Sequence, residues 1–117
     1  MNSSIESTLS KLRERFLNAM TDVYEFRGDT TITLPRESLL DMMRFLRGEL
    51  SFEMLLDVTA LDWLPREPRF DVLYYLLAMP ENTRIRLRVQ LSSADTNVPS
   101  VTSIYPSANF YEREVFD

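Results

Sequence analysis

The sequence predicts an α+β domain: a mostly antiparallel sheet with helices packed on one face, in the order α-β-β-α-β-β-β-α. Apolar residues recur at helical spacing in residues 5–20 and again in 36–48. Between about residues 53 and 91 the period changes to two, the spacing of strands. The link between the last two extended runs is the tetrapeptide PENT, which suits a hairpin return and is far too short for a parallel crossover. A chain of 117 residues is one domain, read as an N-terminal helix (1–20), a sheet with a central helix (21–99) and a C-terminal helical segment (100–117).

In the first helix Ile5, Leu9, Leu12, Phe16 and Met20 follow at steps of four, three, four and four, along one face. Ser3 and Glu6 have the spacing of a capping box at its start. The Ser-rich, basic character of this stretch also fits a transit peptide, but Glu6 and Glu14 favour a structured helix, because such leaders are poor in acid. Residues 21–27 and 30–34 are short extended runs joined by Gly28-Asp29. A glycine in the first position of a two-residue connection suits a II′ hairpin turn. Thr31 and Thr33 alternate with Ile32 and Leu34, the pattern of a half-buried strand. Pro35 then fixes φ for a first helical turn, where its missing N–H is no loss. The segment RESLLDMMRFLRG sets Leu39, Leu40, Met43 and Leu46 on one stripe, Arg44 and Arg47 near the C-terminal end, and Gly48 where it can take the left-handed closing position.

In the strand region, Met54, Leu56, Val58 and Ala60 alternate with Leu55, Asp57, Thr59 and Leu61. After the turn-rich LPREPR, residues 70–79 are apolar on both phases except at Asp71, as expected of an interior strand covered on both sides. Residues 84–91 alternate again, Ile85, Leu87, Val89 and Leu91 inward and Arg84, Arg86 and Arg88 outward. Residues 92–100 form a polar loop ahead of the last helical segment.

Composition removes many function classes. There is no cysteine and no histidine, so disulfides, thiolate metal sites, thiol catalysis and the usual general base are all absent. A net charge of −5 disfavours a nucleic-acid partner, and no apolar run approaches a membrane span. Two glycines cannot build a phosphate-cradling loop, and no Gly-x-Ser-x-Gly elbow occurs. Asp57, Asp62 and Asp71 would form an acid/base or Mg²⁺ cluster only if adjacent strands gathered them; turn and exposed-face carboxylates are the simpler reading. The Arg84/Arg86/Arg88 row beside aromatics invites comparison with an RNA-binding sheet, but acidity argues for a solvated face or an acidic protein partner. Trp63 reads as a ring packed at a strand end or as a contact anchor.

The last eighteen residues, SVTSIYPSANFYEREVFD, gather Tyr105, Phe110, Tyr111 and Phe116 around Glu112-Arg113-Glu114. As a catalytic trio Glu112, Arg113 and Glu114 fit poorly, because neighbouring residues on a helix point in different directions and only one or two of them can meet a given site. A docking helix fits better: Arg113 offers a bidentate fork and Phe110, Tyr111 and Phe116 offer apolar anchors, with Tyr111 and Val115, four apart, expected to face the domain's own core. A helix closing on Asp117 sets a carboxylate at the negative end of the dipole, so the chain is expected to be cut inside an element.

Those residues carry a resemblance. The Ser-Val segment, Tyr105-Pro106, Ala108-Asn109 followed by two aromatics, and Glu112-Arg113-Glu114-x-x-Asp117 are joined upstream by Asp62-Trp63 and by Arg69, Phe70, Val72, Tyr74 and Leu76. Together they resemble the thirty-kilodalton-type subunit of respiratory complex I, the C subunit of bacterial NADH-quinone oxidoreductases, over most of residues 30–117. In that family the signature runs on past the aspartate with a Gly-containing turn and a Gly-His-Pro segment, which this sequence lacks. The resemblance implies a non-catalytic scaffold of the peripheral arm that carries no cofactor, with NADH, FMN, iron–sulfur clusters and quinone bound by other subunits. It implies docking to the forty-nine-kilodalton-type subunit near the quinone end, on the cytoplasmic side of the bacterial membrane, through Tyr105, Phe110, Glu112, Arg113, Glu114, Phe116 and Asp117. An uncovered docking face would also let the chain self-associate. The equivalent subunit of a membrane-bound hydrogenase or an F420H2 dehydrogenase is a second reading. A free-standing small-molecule-binding domain, with a concave apolar pocket, is a third.

Overall fold

A computed structural model describes residues 3–26, 28–79 and 82–116, with the side chains of 3, 4, 26 and 114–116 outside that set. The elements are α1 (Ser3–Phe16), β1 (Asp22–Phe26), β2 (Asp29–Thr33), a 3-10 turn (Arg36–Ser38), α2 (Leu39–Leu50), β3 (Met54–Asp62), β4 (Phe70–Ala78), β5 (Thr83–Leu91) and α3 (Ala108–Phe116). This is the predicted order. The strands form one sheet, β1-β2-β5-β4-β3. A hairpin of β1 and β2 lies beside an antiparallel meander of β3, β4 and β5. The seam between them, β2 on β5, is parallel, from Thr30↔Ile85 to Thr33↔Arg88.

One face of the sheet presents Ile32, Leu87, Val89, Val72, Tyr74 and Leu76 to a single buried cluster shared with all three helices. Ile5, Leu9 and Leu12 enter it from α1, with Phe16 and Met20 packed at its margin, as the stripe predicts. α2 contributes Leu39, Met42, Met43 and Leu46, so Met42 takes the inner place expected of Leu40, which is only half-buried. β4 is buried on both phases over most of its length, with Leu73 and Leu77 covered on the face away from the helices.

Several local expectations give way to tertiary structure. The register Phe26↔Asp29 puts Asp29 in the strand, so Gly28 (φ 86°) is the residue that closes the hairpin connection, not the one that opens it. Pro35 sits just before the 3-10 turn in extended conformation (φ −71°, ψ 152°), not within the first helical turn. Gly48 stays helical; the left-handed closing residue is Ser51 (φ 64°), whose N–H donates to the Leu46 carbonyl. Continuing to Leu50 packs that side chain against the core and delivers Phe52, fully buried, just beyond it. In β3 the register shifts between Leu55 and Asp57, so Leu55 and Val58 are the buried pair and simple alternation fails. The Ser3 half of the expected capping box, the PENT residues Pro80 and Glu81, and the inward turn of Val115 lie outside the described residues.

β2 is buried on both faces, which overturns the half-buried expectation: Ile32 enters the core under the helices, and on the opposite face the Arg88 side chain from β5 lies against Thr33. Its threonines differ in their partners. Thr33 accepts a hydrogen bond from Arg88 Nε at 2.9 Å, whereas the Thr31 hydroxyl is buried with no partner among the described residues. A desolvated hydroxyl without a bond costs free energy that a methyl group does not. Thr31→Val is therefore expected to stabilise the fold by about 0.5–1 kcal/mol, seen as a higher urea midpoint at unchanged slope. Thr33→Val, which removes the acceptor for Arg88, is expected to shift the midpoint the other way.

Candidate functional site

The stretch leading into α3 is anchored by burial. Val101, Ile104 and Tyr105 are all buried, and a run of turns carries the chain into the helix through Tyr105 N–H to Val101 carbonyl (2.9 Å) and Ala108 N–H to Tyr105 carbonyl (2.9 Å). The Tyr105 hydroxyl donates to the Phe52 carbonyl at 2.6 Å, which ties this segment to the end of α2. Burial pushes its phenol well above the ordinary value, against the opposing charge of Arg47, so the hydroxyl keeps its proton for that bond. Arg47 lies over the Tyr105 ring at 5.4 Å and donates to the Ile104 carbonyl.

The inner face of α3 carries Ala108, Tyr111 and Glu112, at i, i+3 and i+4. Glu112 is buried, accepting from Ser100 Oγ at 2.7 Å and from the Val101 N–H at 2.9 Å. Its charge, second to burial, raises the phenol of Tyr74. A carboxylate has several acceptor sites, so one side chain fastens two donors of the approaching segment and sets the helix against the sheet. On the outer face Asn109, Phe110 and Arg113 are exposed, Phe110 to 78%. Phe110 and Arg113 are one turn apart and share that face.

The expected partner-binding residues thus divide. Phe110 and Arg113 are presented to the outside. Tyr105 and Glu112 are turned inward and engaged in internal hydrogen bonds, so neither is offered at the surface of the domain. The side chains of Glu114 and Phe116, and Asp117 as a whole, lie outside the described residues.

The other candidates resolve into structural roles. Asp57 bonds to the Val58 N–H and to Thr59 Oγ1, and Asp62 takes both arms of the Arg69 fork at 2.9 Å. Arg69, with the Leu64 N–H, holds the Asp62 carboxyl below the ordinary value. Asp71 is buried on the sheet face away from the helices, 3.8 Å from Arg88. No three Asp or Glu side chains among the described residues come together as a metal site. Trp63 is part-exposed, with Arg66 stacked on it at 4.6 Å. The Asp62–Arg69 fork, which clasps the loop between β3 and β4, goes beyond what sequence reasoning found. Opposite charges at both ends of a turn containing Pro65 and Pro68 are the signal that points to it.

The family description "Respiratory-chain NADH dehydrogenase, 30 Kd subunit" matches residues 32–117, most of the chain. The chain belongs to this family. The C subunit of the NADH-quinone oxidoreductase of Citrifermentans bemidjiense is 43% identical over 107 residues, 92% of this chain and 66% of the relative. That of Geobacter sulfurreducens is 44% identical over 108 residues, 92% and 67% of the two chains. The chain spans about two thirds of the length of these curated relatives. Among solved structures, the trypsin-resistant fragment (1-134) of Nqo5 superposes with a TM-score of 0.84 at 31% identity, over 97% of this chain and 90% of that one. A chain of the membrane-bound sulfane sulfur reductase, an archaeal respiratory membrane complex, gives 0.76 at 25% identity, over 96% and 65%. The fold of the family therefore holds across these relatives. No helix among the described residues is long and apolar enough to cross a membrane.

Proposed function

We propose that this chain is a non-catalytic scaffold of the peripheral arm of a respiratory NADH:quinone oxidoreductase, docking a forty-nine-kilodalton-type subunit through the outer face of α3. The supporting observation is the division of that helix. Its inner face is fixed by Glu112, while Phe110 stands 78% exposed one turn from Arg113. A large ring held in water gains by burial against a partner, and a guanidinium beside it supplies a directional carboxylate contact. In this reading NADH, FMN, iron–sulfur clusters and quinone sit in other subunits, and the chain acts by holding neighbours at fixed separation on the cytoplasmic side of the bacterial membrane. The same face gives the isolated chain a route to self-association.

The test is co-purification of the full-length protein with the forty-nine-kilodalton-type subunit, comparing the native side chain with Arg113→Ala. Reduced recovery is expected for the variant; equal recovery removes Arg113 from the contact. The likeness to a chain of the sulfane sulfur reductase complex favours a second reading, an equivalent subunit of another membrane-bound complex such as a hydrogenase. Mass spectrometry of the partners recovered in the same experiment separates the two.

A further inference from the structure

We propose that the sheet face opposite the helices carries a carboxylate-binding pocket, built by Arg84 and Arg86, that receives an acidic side chain of a protein partner. The cross-strand register sets the place. Leu76 and Ile85 are partners within the core, so Tyr75 and Arg86, the next pair along, point to the opposite face together with Arg84. There a cavity of about 190 Å³ is lined by Arg84, Arg86, Tyr75, Asp29 and Leu56 among others. Leu56 is the residue at the register shift of β3, where a bulge re-aims a side chain.

The two arginines play different parts. Arg86 is held in place, its guanidinium 4.9 Å from the Tyr75 ring centroid and 3.5 Å from Asp29, with its Nε buried and without a hydrogen-bond partner among the described residues. A donor already fixed by stacking loses little freedom when it binds. Arg84 is exposed and pairs with no carboxylate among the described residues. Its neighbour Arg88, by contrast, faces Asp22 and Asp71, each at 3.8 Å. Among the described residues, two guanidinium groups against one carboxylate leave the lining one positive charge in excess, in a chain whose net charge is −5.

That excess, with Leu56 and the Tyr75 ring as apolar walls, fits a single negative charge on a short aliphatic stem, as in Glu or Asp. Asp29 works against a dianion such as phosphate, because the second charge would lie beside a like one. The pocket and the α3 face belong to opposite sides of the sheet, so the two sites fail or hold separately.

The experiment follows the arginine Nε–H resonances of the ¹⁵N-labelled chain during titration with N-acetyl-glutamate N-methylamide. Saturable movement of the Arg84 and Arg86 signals is expected, with half-saturation on the order of 1–10 mM for one charge-assisted pair. The glutamine analogue is expected to move neither signal. Arg84→Gln, a change at an exposed side chain, is expected to raise the half-saturation concentration about fivefold, with Arg13→Gln leaving the curve unchanged. The proposal is overturned by movement that does not saturate, by equal shifts with the glutamine analogue, by an unaltered curve in Arg84→Gln, or by tighter binding of inorganic phosphate.

Discussion

Glu112→Ala is expected to lower the unfolding free energy by about 2–4 kcal/mol, against about 1 kcal/mol for Glu112→Gln, in urea titrations of the chain. The reason is what the truncation strands. Val101 is fully buried, so its N–H has no water to turn to once the carboxylate is gone, and Ser100 loses its partner as well. Glutamine keeps one carbonyl oxygen on the same stem and can still serve the Val101 amide. A hydrogen bond to a charged group outweighs a neutral one, which sets the remaining difference. Equal midpoints for alanine and the native chain would mean that residues 100–104 are held by Val101, Ile104 and Tyr105 alone. Because α3 takes its position from this bond, the alanine variant should also lose partner binding, with the loss following its loss of structure.

Glu112 also marks where local reading stops. Periodicity locates α1, α2 and the doubly buried β4, since amphipathic stripes and an apolar run are properties of the segment itself. The outward aromatic–arginine face of α3 is legible for the same reason, at Phe110 and Arg113. Nothing within residues 108–116 says that Glu112 turns inward, because its partners lie eleven and twelve residues upstream in a turn. The burial of β2 is hidden similarly. It depends on a parallel pairing with β5, more than fifty residues away, for which the four-residue run Thr30 to Thr33 carries no signal. Gly48 and Ser51 show the same competition within one helix. Glycine is the favoured closing residue, but seating Leu50 and Phe52 in the core outweighs roughly 1 kcal/mol of local preference. The bulge at Leu56 breaks an alternation that is regular in the sequence of β3.

Under the proposed docking, Phe110→Ala is expected to weaken association with the forty-nine-kilodalton-type subunit by about 30-fold or more, the loss typical of a central aromatic anchor. Fold stability should be nearly unchanged, because a ring 78% exposed contributes little to the core of the free chain. That separation gives the measurement its meaning. A variant that unfolds at the native midpoint yet binds weakly has lost a contact, not a scaffold. Arg113→Ala should behave differently with salt: its deficit is expected to be larger at about 50 mM ionic strength than at about 500 mM, as screening removes what the charge supplied, whereas the Phe110 deficit persists in both (about 14 and 4 Å Debye lengths). If the two deficits shrink together as salt rises, Phe110 is not desolvated in the complex and the apolar half of the docking argument fails. If Phe110→Ala binds like the native chain, the partner approaches from another face and the exposed ring of α3 is not part of the contact.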